Sequence, residues 1–244
     1  AMGGDAFSFL MAIESVTFGQ ALKLLADRTG LAIPTNKVPP KDNSLININS
    51  AASQFFSDYL SSKEGHAARK YLATRKMTAK ATTQFQLGLS PRDGASLKRH
   101  LQGIGYSEEQ IILAGLLSQN RDGIYQDLFR GRLIFPIWDA QGSLVGFGGR
   151  VLDKSNPKYL NSRQSPVFDK GQILYGYHWA KESMETEGAV IVEGYMDVIT
   201  AHQEGFTNVV ASMGTSLTQH QTHLLHNTNK DVVLALDPDK AGQE

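Results

Sequence analysis

The sequence predicts a mixed α/β fold: an N-terminal α+β subdomain carrying a β-hairpin, followed by a partial, doubly wound parallel sheet. Three observations predict it. Apolar residues recur at helical spacing through about residue 114. Two apolar runs flank the turn signal Asp139-Ala140-Gln141-Gly142. Beyond 188, short Val-rich runs alternate with helical stretches. That last alternation is the signature of buried parallel strands joined by crossover helices, whose sites lie at the carboxyl ends of the strands. Composition agrees, because 41% hydrophobic and 20% charged over 244 residues is a globular balance with room for a substantial core. Cysteine is absent, which excludes disulfides, Cys-ligated zinc and cysteine nucleophiles within these residues. No apolar run approaches the roughly 18 residues of a membrane span. The start Ala1-Met2-Gly3-Gly4-Asp5 lacks the basic-then-apolar order of a secretory signal. A soluble, cytosolic protein without a membrane partner is expected, and a start at Ala reads as a fragment.

In chain order, residues 4–30 read as a helical hairpin. Asp5 is placed to cap a helix carrying Phe7, Phe9, Leu10 and Ile13. Thr17 and Gln20 form a capping-box pattern ahead of Phe18, Leu22 and Leu25, with an end at Gly30. Pro34, Pro39 and Pro40 among polar residues mark a linker and domain boundary. Phe55, Phe56, Tyr59 and Leu60 give a helix over about 45–64, and Gly65 separates it from a second over about 65–76 with Tyr71 and Leu72. Leu97 to about Leu101 and Glu108 to about Ala114 are shorter helices. Leu133–Trp138 and Ser143–Arg150 form the hairpin. Gly146, Gly148 and Gly149 in its second strand suit close approach of another backbone or a ligand, or a bulge. The parallel region then reads as strand Ala189–Val192, helix 195–204, strand Asn208–Ser212, helix 218–227 and strand Asp231–Leu236.

The formal net charge is zero, but the charges are separated. Lys63, Arg69, Lys70, Arg75, Lys76, Lys80, Arg92, Lys98 and Arg99 face only Glu64 and Asp93 between 61 and 100, whereas 181–244 is strongly acidic. Such a split is either a pair of solvated faces or a polyanion-binding surface beside a cation site. Two acidic clusters follow strands directly: Glu193-Gly194-Tyr195-Met196-Asp197 and Asp237-Pro238-Asp239. Parallel strands bring both to one sheet edge, and the first turn of a helix brings Asp197 round to the side of Glu193. Mg²⁺ prefers such oxygen ligands together with substrate phosphates, and paired ions stabilise both oxygens of a phosphoryl transfer. Asp237 and Asp239 are candidate ligands, with Glu193 a third ligand or the general base. Strand-end acids also act as helix caps; the presence of two clusters favours the metal.

These residues resemble the bacterial DnaG-type primases. The Glu193–Val198 and Asp237–Gly242 segments look like the two leading motifs of that family's Toprim domain. Phe135-Pro136-Ile137, Gly146–Arg150, Pro157–Ser162, Phe168–Gly171, Leu174-Tyr175-Gly176 and Met213–Thr218 are similar to its catalytic core, as is Ala67–Leu72. The resemblance covers essentially the whole chain. It implies a helical tail of a preceding zinc-binding domain at 1–34, a linker at 35–50, the N-terminal subdomain of the core at 51–186 and an incomplete Toprim domain at 187–244. It further implies a cytoplasmic, replication-fork RNA polymerase that lays short RNA primers on single-stranded DNA from ribonucleoside triphosphates with Mg²⁺ or Mn²⁺. Zinc is expected only in the domain before residue 1, and a replicative helicase only through a region beyond Glu244. Carried over by motif, Glu193, Asp237 and Asp239 are catalytic, with Asp197 joining them as metal ligands. Arg130, Arg132, Arg150, Lys158, Tyr159, Asn161 and Lys170 are template or nucleotide contacts, with Lys and Arg clamping phosphates and Tyr159 stacking. Tyr175 and Trp179 are expected in the core. Pro238 stands where the family has glycine, and Lys76 follows Arg75 where the family has Arg-Gly. The fragment as given is expected to polymerise poorly or not at all. Two other readings compete. One is a single-stranded nucleic-acid-binding module using only the basic region. The other is a different Toprim enzyme, a topoisomerase or nuclease, which the Pro157–Ser162 and Gly146–Arg150 segments disfavour. A metal-dependent phosphatase on a doubly wound sheet is a third class.

Overall fold

The computed structural model describes residues 6–14, 18–29, 43–214, 216–226 and 230–236. The chain divides into two units, Ala1–Lys41 and Asp42–Glu244. In the first, helices α1 (Ala6–Glu14) and α2 (Phe18–Thr29) form the expected pair, with Arg28 4.0 Å from Glu14. The expected caps at Asp5 and Thr17, the end at Gly30 and the Pro34–Pro40 segment lie outside the described residues.

The second unit opens with helix α3 (Asn43–Ser61), two residues ahead of the start near 45 expected from its apolar spacing, and overlapping the 35–50 linker that the resemblance implied. Its start follows from packing: Leu45, Ile48, Ala52, Phe56 and Leu60 fall on one helical face and all are buried. Arg69 on α4 (His66–Thr74) donates to the carbonyls of Leu60 and Ser62, closing the α3–α4 corner. Helix α5 (Ala79–Gln84) starts at Thr78, whose hydroxyl accepts from the Ala81 amide. Strand β1 (Gly88–Leu89) precedes α6 (Ser96–Gly103) and α7 (Glu108–Leu113). Ser107 and Gln110 complete a capping box at α7. The β2 (Leu117–Gln119) and β3 (Tyr125–Asp127) hairpin ends in Asp127, whose buried carboxylate accepts the Leu97 and Lys98 amides at 2.9 Å each. Asp127 thereby serves the open N-terminus of α6, and burial pushes its pKa up.

Strands β4 (Arg132–Trp138) and β5 (Leu144–Val151) form the expected antiparallel hairpin, flanked by β1 and by β6 (Tyr159–Asn161) in the order β1-β4-β5-β6. The Asp139 carboxylate closes the turn by accepting from the Gln141 and Ser143 amides. Alternation along β4 sets both faces. Leu133, Phe135 and Ile137 join one core with Leu72, Phe85, Tyr175 and Tyr195. Ile134 lies in another with Phe56, Leu97, Leu101, Ile111 and Phe147.

After α8 (Tyr177–Glu187) come β7 (Ala189–Val192), α9 (Tyr195–Gln203), β8 (Val209–Ala211), α10 (Gln219–His226) and β9 (Val232–Leu234). The three strands are parallel in the order β8-β7-β9, as the alternating pattern predicted. Ala189, Ile191 and Val210 pack with Ala180, Met184 and Leu225. Val209 and Ala211 face the opposite way with Val198 and Ile199 of α9. The crossover helices therefore cover opposite faces, which is the doubly wound arrangement. The core that holds Tyr195, Val198 and Val209 also holds Leu133 and Phe135, so the four-stranded and the three-stranded sheets share one interior.

Candidate active site

The carboxyl end of β7 is the centre of the site. Glu193, half-buried, leaves the strand, Gly194 is the N-cap of α9, and Asp197 stands exposed in the first helical turn. Gly194 has φ −142°, an extended conformation open to any residue, so backbone freedom is not what the position requires. Space is. A Cβ at Gly194 would lie 3.3 Å from Asp197 Oδ2, because that carboxylate folds back over the turn. Glu193 and Asp197 thus flank the turn at Gly194.

Strand β9 runs beside β7 with Val190 opposite Val233 and Ile191 opposite Leu234, and the Ala235 amide donates to the Ile191 carbonyl at 2.8 Å. The chain continues through Leu236 at the edge occupied by Glu193. Asp237 and Asp239 lie outside the described residues. Among the described residues no cluster of three His, Cys, Asp or Glu side chains forms a metal centre. Glu193 and Asp197 supply two carboxylates, an all-oxygen pair whose chemistry fits Mg²⁺ or Mn²⁺.

The end of β8 adds a cation. Lys170 begins a short 3₁₀ turn (Lys170–Gln172), and its Nζ lies 3.1 Å from where a Gly214 Cβ would stand. Four contacts hold that turn. The Asp169 carboxylate accepts the Gly171 amide, the Thr218 hydroxyl donates to the Gly171 carbonyl, and the Gln221 amide donates to the carbonyls of Lys170 and Ile173 at 3.1 and 2.8 Å. Gln221 also accepts from the Thr218 amide and is fully buried. Sequence reasoning missed it, although a glutamine four residues before Leu225 on an apolar face is the signal.

A basic and aromatic wall faces this edge. Arg150 Cζ lies 4.9 Å from the Tyr71 ring centroid and 5.6 Å from that of Tyr159, while Lys158 Nζ lies 5.9 Å from Tyr159. Arg75 Cζ is 5.5 Å from Tyr71. Burial raises the Tyr159 pKa, Arg150 opposes the rise, and the negative charge of Asp197 adds to it. The acidic edge and the basic wall therefore share one electrostatic neighbourhood. Between them sits Tyr195, stacked on Phe135 at 5.0 Å and edge-on to Tyr175 at 4.7 Å, with its hydroxyl donating to Asn161 Oδ1 at 2.5 Å. Burial, reinforced by Tyr159, pushes that hydroxyl far above the usual tyrosine range.

Aromatic side chains explain the glycines of β5: Phe168 fills the space at Gly146, Tyr195 at Gly148 and Phe129 at Gly149. A Cβ at Gly148 would fall 2.4 Å from Tyr195 Cζ, so the close approach expected from sequence is to an aromatic side chain rather than to backbone or ligand. The expected contacts divide in the same way. Arg150, Lys158 and Tyr159 come together near Asp197, and Lys170 stands at the end of β8. Arg132 is 7% exposed, and its Nη1 donates to the Gly149 and Pro157 carbonyls at 3.2 and 3.0 Å. It braces the segment that presents Lys158, and burial lowers its pKa. Asn161 is engaged by Tyr195. Arg130 is exposed, with Nη1 3.4 Å from the Asp127 carbonyl. Tyr175 is fully buried, as expected. Tyr71 and Arg75, four apart on α4, were missed as part of the wall.

Comparison with known proteins agrees with this geometry. The family described as "DNA primase catalytic core, N-terminal domain" matches residues 55–181, and a Toprim-like family matches 190–244. A DNA primase of Clostridium acetobutylicum is 40% identical over 98% of this chain and 41% of its own length. The chain thus spans less than half of that relative. The RNA polymerase domain of Mycobacterium tuberculosis primase DnaG superposes with a TM-score of 0.76 at 35% identity, covering 83% of this chain and 69% of that one. A DnaG primase catalytic domain bound to single-stranded DNA gives a TM-score of 0.75 at 34% identity, over 83% and 64%. With the first family matching more than half of its residues, the chain belongs to the DnaG-type DNA primases.

Proposed function

We propose that this chain is the polymerising core of a DNA primase, which makes short RNA primers on single-stranded DNA at replication forks. The observation that carries the reading is the approach of Tyr159 and Asn161 to Tyr195, on the helix that starts beside Glu193 and carries Asp197, with Arg150 and Lys158 around the Tyr159 ring, beside the strand that leads to Asp237. The reaction joins a primer 3′-hydroxyl to the α-phosphate of a ribonucleoside triphosphate and releases pyrophosphate.

Each part of the wall has a chemical task. Arg150, Lys158 and Lys170 hold phosphate oxygens, since fixed cations lower the cost of gathering a triphosphate and a template at one edge. Tyr159, 38% exposed, offers a ring face on which a base stacks whatever its identity. Arg132 acts by bracing the Lys158 segment. Glu193, Asp197, Asp237 and Asp239 would hold Mg²⁺ or Mn²⁺, which when bound polarises the transferring phosphate and steadies the leaving charge. The bound single strand of the solved relative supports the template assignment. The remaining length of the curated relatives is where a contact with the replicative helicase is expected. Work at the fork places the protein in the cytoplasm, and no described helix is long and apolar enough to cross a membrane.

The test uses the protein at the full length of its relatives, with primer synthesis and single-stranded DNA affinity measured in parallel. Asp237→Asn with Asp239→Asn should cut synthesis on the order of a thousandfold while DNA affinity stays within about twofold. If the unsubstituted protein binds DNA but makes no RNA with Mg²⁺ or Mn²⁺, the binding-module reading replaces this one.

A further inference from the structure

Arg150 is held in an unusual way. Its guanidinium lies close to two tyrosine rings, 4.9 Å from Tyr71 and 5.6 Å from Tyr159, and its Nε is buried with no hydrogen-bond partner. Two β5 glycines precede it, so no neighbouring side chain on that strand's immediate N-terminal side supports it. Tyr159, through its ring and a hydrogen bond with the Arg150 side chain, and the ring of Tyr71 hold the guanidinium. Tyr159 reaches it from the paired strand β6, with Arg150 directly opposite Tyr159 in the register. Tyr71 reaches it from α4, a helix that belongs to neither strand.

The placement of α4 is itself secured against the acidic side of the site. Gln203, at the end of α9, donates to the Lys76 carbonyl at 2.9 Å and accepts from the Thr78 amide at 2.7 Å. That paired amide bond pins the turn just after α4 to the helix that starts beside Glu193. Tyr71 also carries Arg75, whose Cζ lies 5.5 Å from its ring. One ring therefore organises two guanidinium groups. The Tyr71 hydroxyl is buried without a partner, so the ring rather than the hydroxyl is the working part.

We propose that Tyr71 is a positioning residue, whose ring orients Arg150 so that it meets the phosphates of an incoming nucleotide at the Glu193 edge. The inference deepens the polymerase reading and rests on it for the identity of the ligand. Arg150 touches the nucleotide, and Tyr71 acts through Arg150.

The experiment measures ATP affinity at equilibrium, without template, and KM and kcat for primer synthesis, all on the full-length protein. Tyr71→Leu should weaken ATP binding and raise KM by roughly five- to thirtyfold, the range of a partly desolvated cation–π contact, with a smaller change in kcat. Tyr71→Phe should restore both values to within about twofold of wild type. Combining Y71L with Arg150→Ala should add little to R150A alone, since the ring acts through that guanidinium. If Y71L does not fold, Tyr71→Met serves as the non-aromatic variant. Wild-type affinity in a folded Y71L or Y71M protein, or full additivity with R150A, overturns the inference. So does an R150A protein that binds ATP normally while wild type makes primers, which leaves the polymerase reading standing. The expected binding pattern in a protein that makes no RNA removes the polymerase reading and leaves the positioning role intact.

Discussion

The four-stranded antiparallel sheet and the three-stranded parallel sheet of the larger unit are built to different degrees of closure. In β4 every residue from Arg132 to Ile137 is buried, because α4, α5 and α9 contribute to one core and α3, α6 and α7 to the other. In β9, Val232, Val233 and Leu234 are 41, 55 and 60% exposed, and the strand's tie to the rest of the sheet is its ladder with β7. The basic and aromatic wall thus stands on a sheet that is packed on both faces. The acidic residues stand at the edge of one that is packed tightly only around β7 and β8. Substitutions under the wall should register first as lost stability, whereas substitutions at the acidic turn should register first as lost activity.

The strongest way to break that contrast is Gly148→Ala. Its Cβ has no room beside Tyr195, which is itself held by Phe135 and Asn161, so overpacking should cost about 1–3 kcal/mol in urea unfolding. Val233→Thr, on the exposed strand, should stay within about 0.5 kcal/mol. Equal costs would remove the distinction. Next is Gly194→Ala. The added methyl is only moderately tight, so stability should change by less than about 1 kcal/mol, but Asp197 must shift by a few tenths of an ångström. Primer synthesis by the full-length protein should then fall about tenfold. A large loss of stability with normal synthesis would reverse the assignment.

The smallest effect concerns pH. His202 is buried between α9 and β8, its Nε2 bonded to the Val209 carbonyl at 2.8 Å, and burial lowers its pKa below 6.5 despite that bond. Below pH 6.5 the unfolded chain takes up a proton that the folded chain refuses. Stability therefore falls as pH drops from 6.5 toward the lowered pKa, with a slope of at most about 1.4 kcal/mol per pH unit. Unfolding at pH 7.5 and 5.5 should show this loss, and His202→Gln should reduce it. An unchanged loss in the variant would show that another group titrates.

Legibility followed the same divide. The alternation of Val-rich runs with helices located β7, α9, β8, α10 and β9 to within a residue or two, because a buried parallel strand leaves a strong local signal. The β4–β5 hairpin was legible from its apolar runs and the Asp139–Gly142 turn. Strand β1, with two residues, and the β2–β3 pair, with three each, are too short to carry a period. Helix α3 was legible to within two or three residues at each end, because Leu45, Ile48, Ala52, Phe56 and Leu60 keep helical spacing. At the site, motifs pointed to Glu193, Asp197, Arg150 and Lys158, but charge alone cannot distinguish an arginine set between aromatic rings from one facing carbonyls, which is how Arg150 differs from Arg132. Tyr71 meets Arg150, and Gln221 meets the Lys170–Ile173 turn, across distant segments, so local spacing marks a buried polar or aromatic position without revealing its partner.

The measurement that bears most directly on the account is Mn²⁺ binding to the full-length protein, followed by paramagnetic broadening of its side-chain resonances. Signals from Tyr159 and Arg150 should broaden as Mn²⁺ is added, and Glu193→Gln combined with Asp237→Asn should abolish both the tight binding and the broadening. Mn²⁺ bound equally well by the variant, or broadening confined to residues remote from Tyr159, would contradict it.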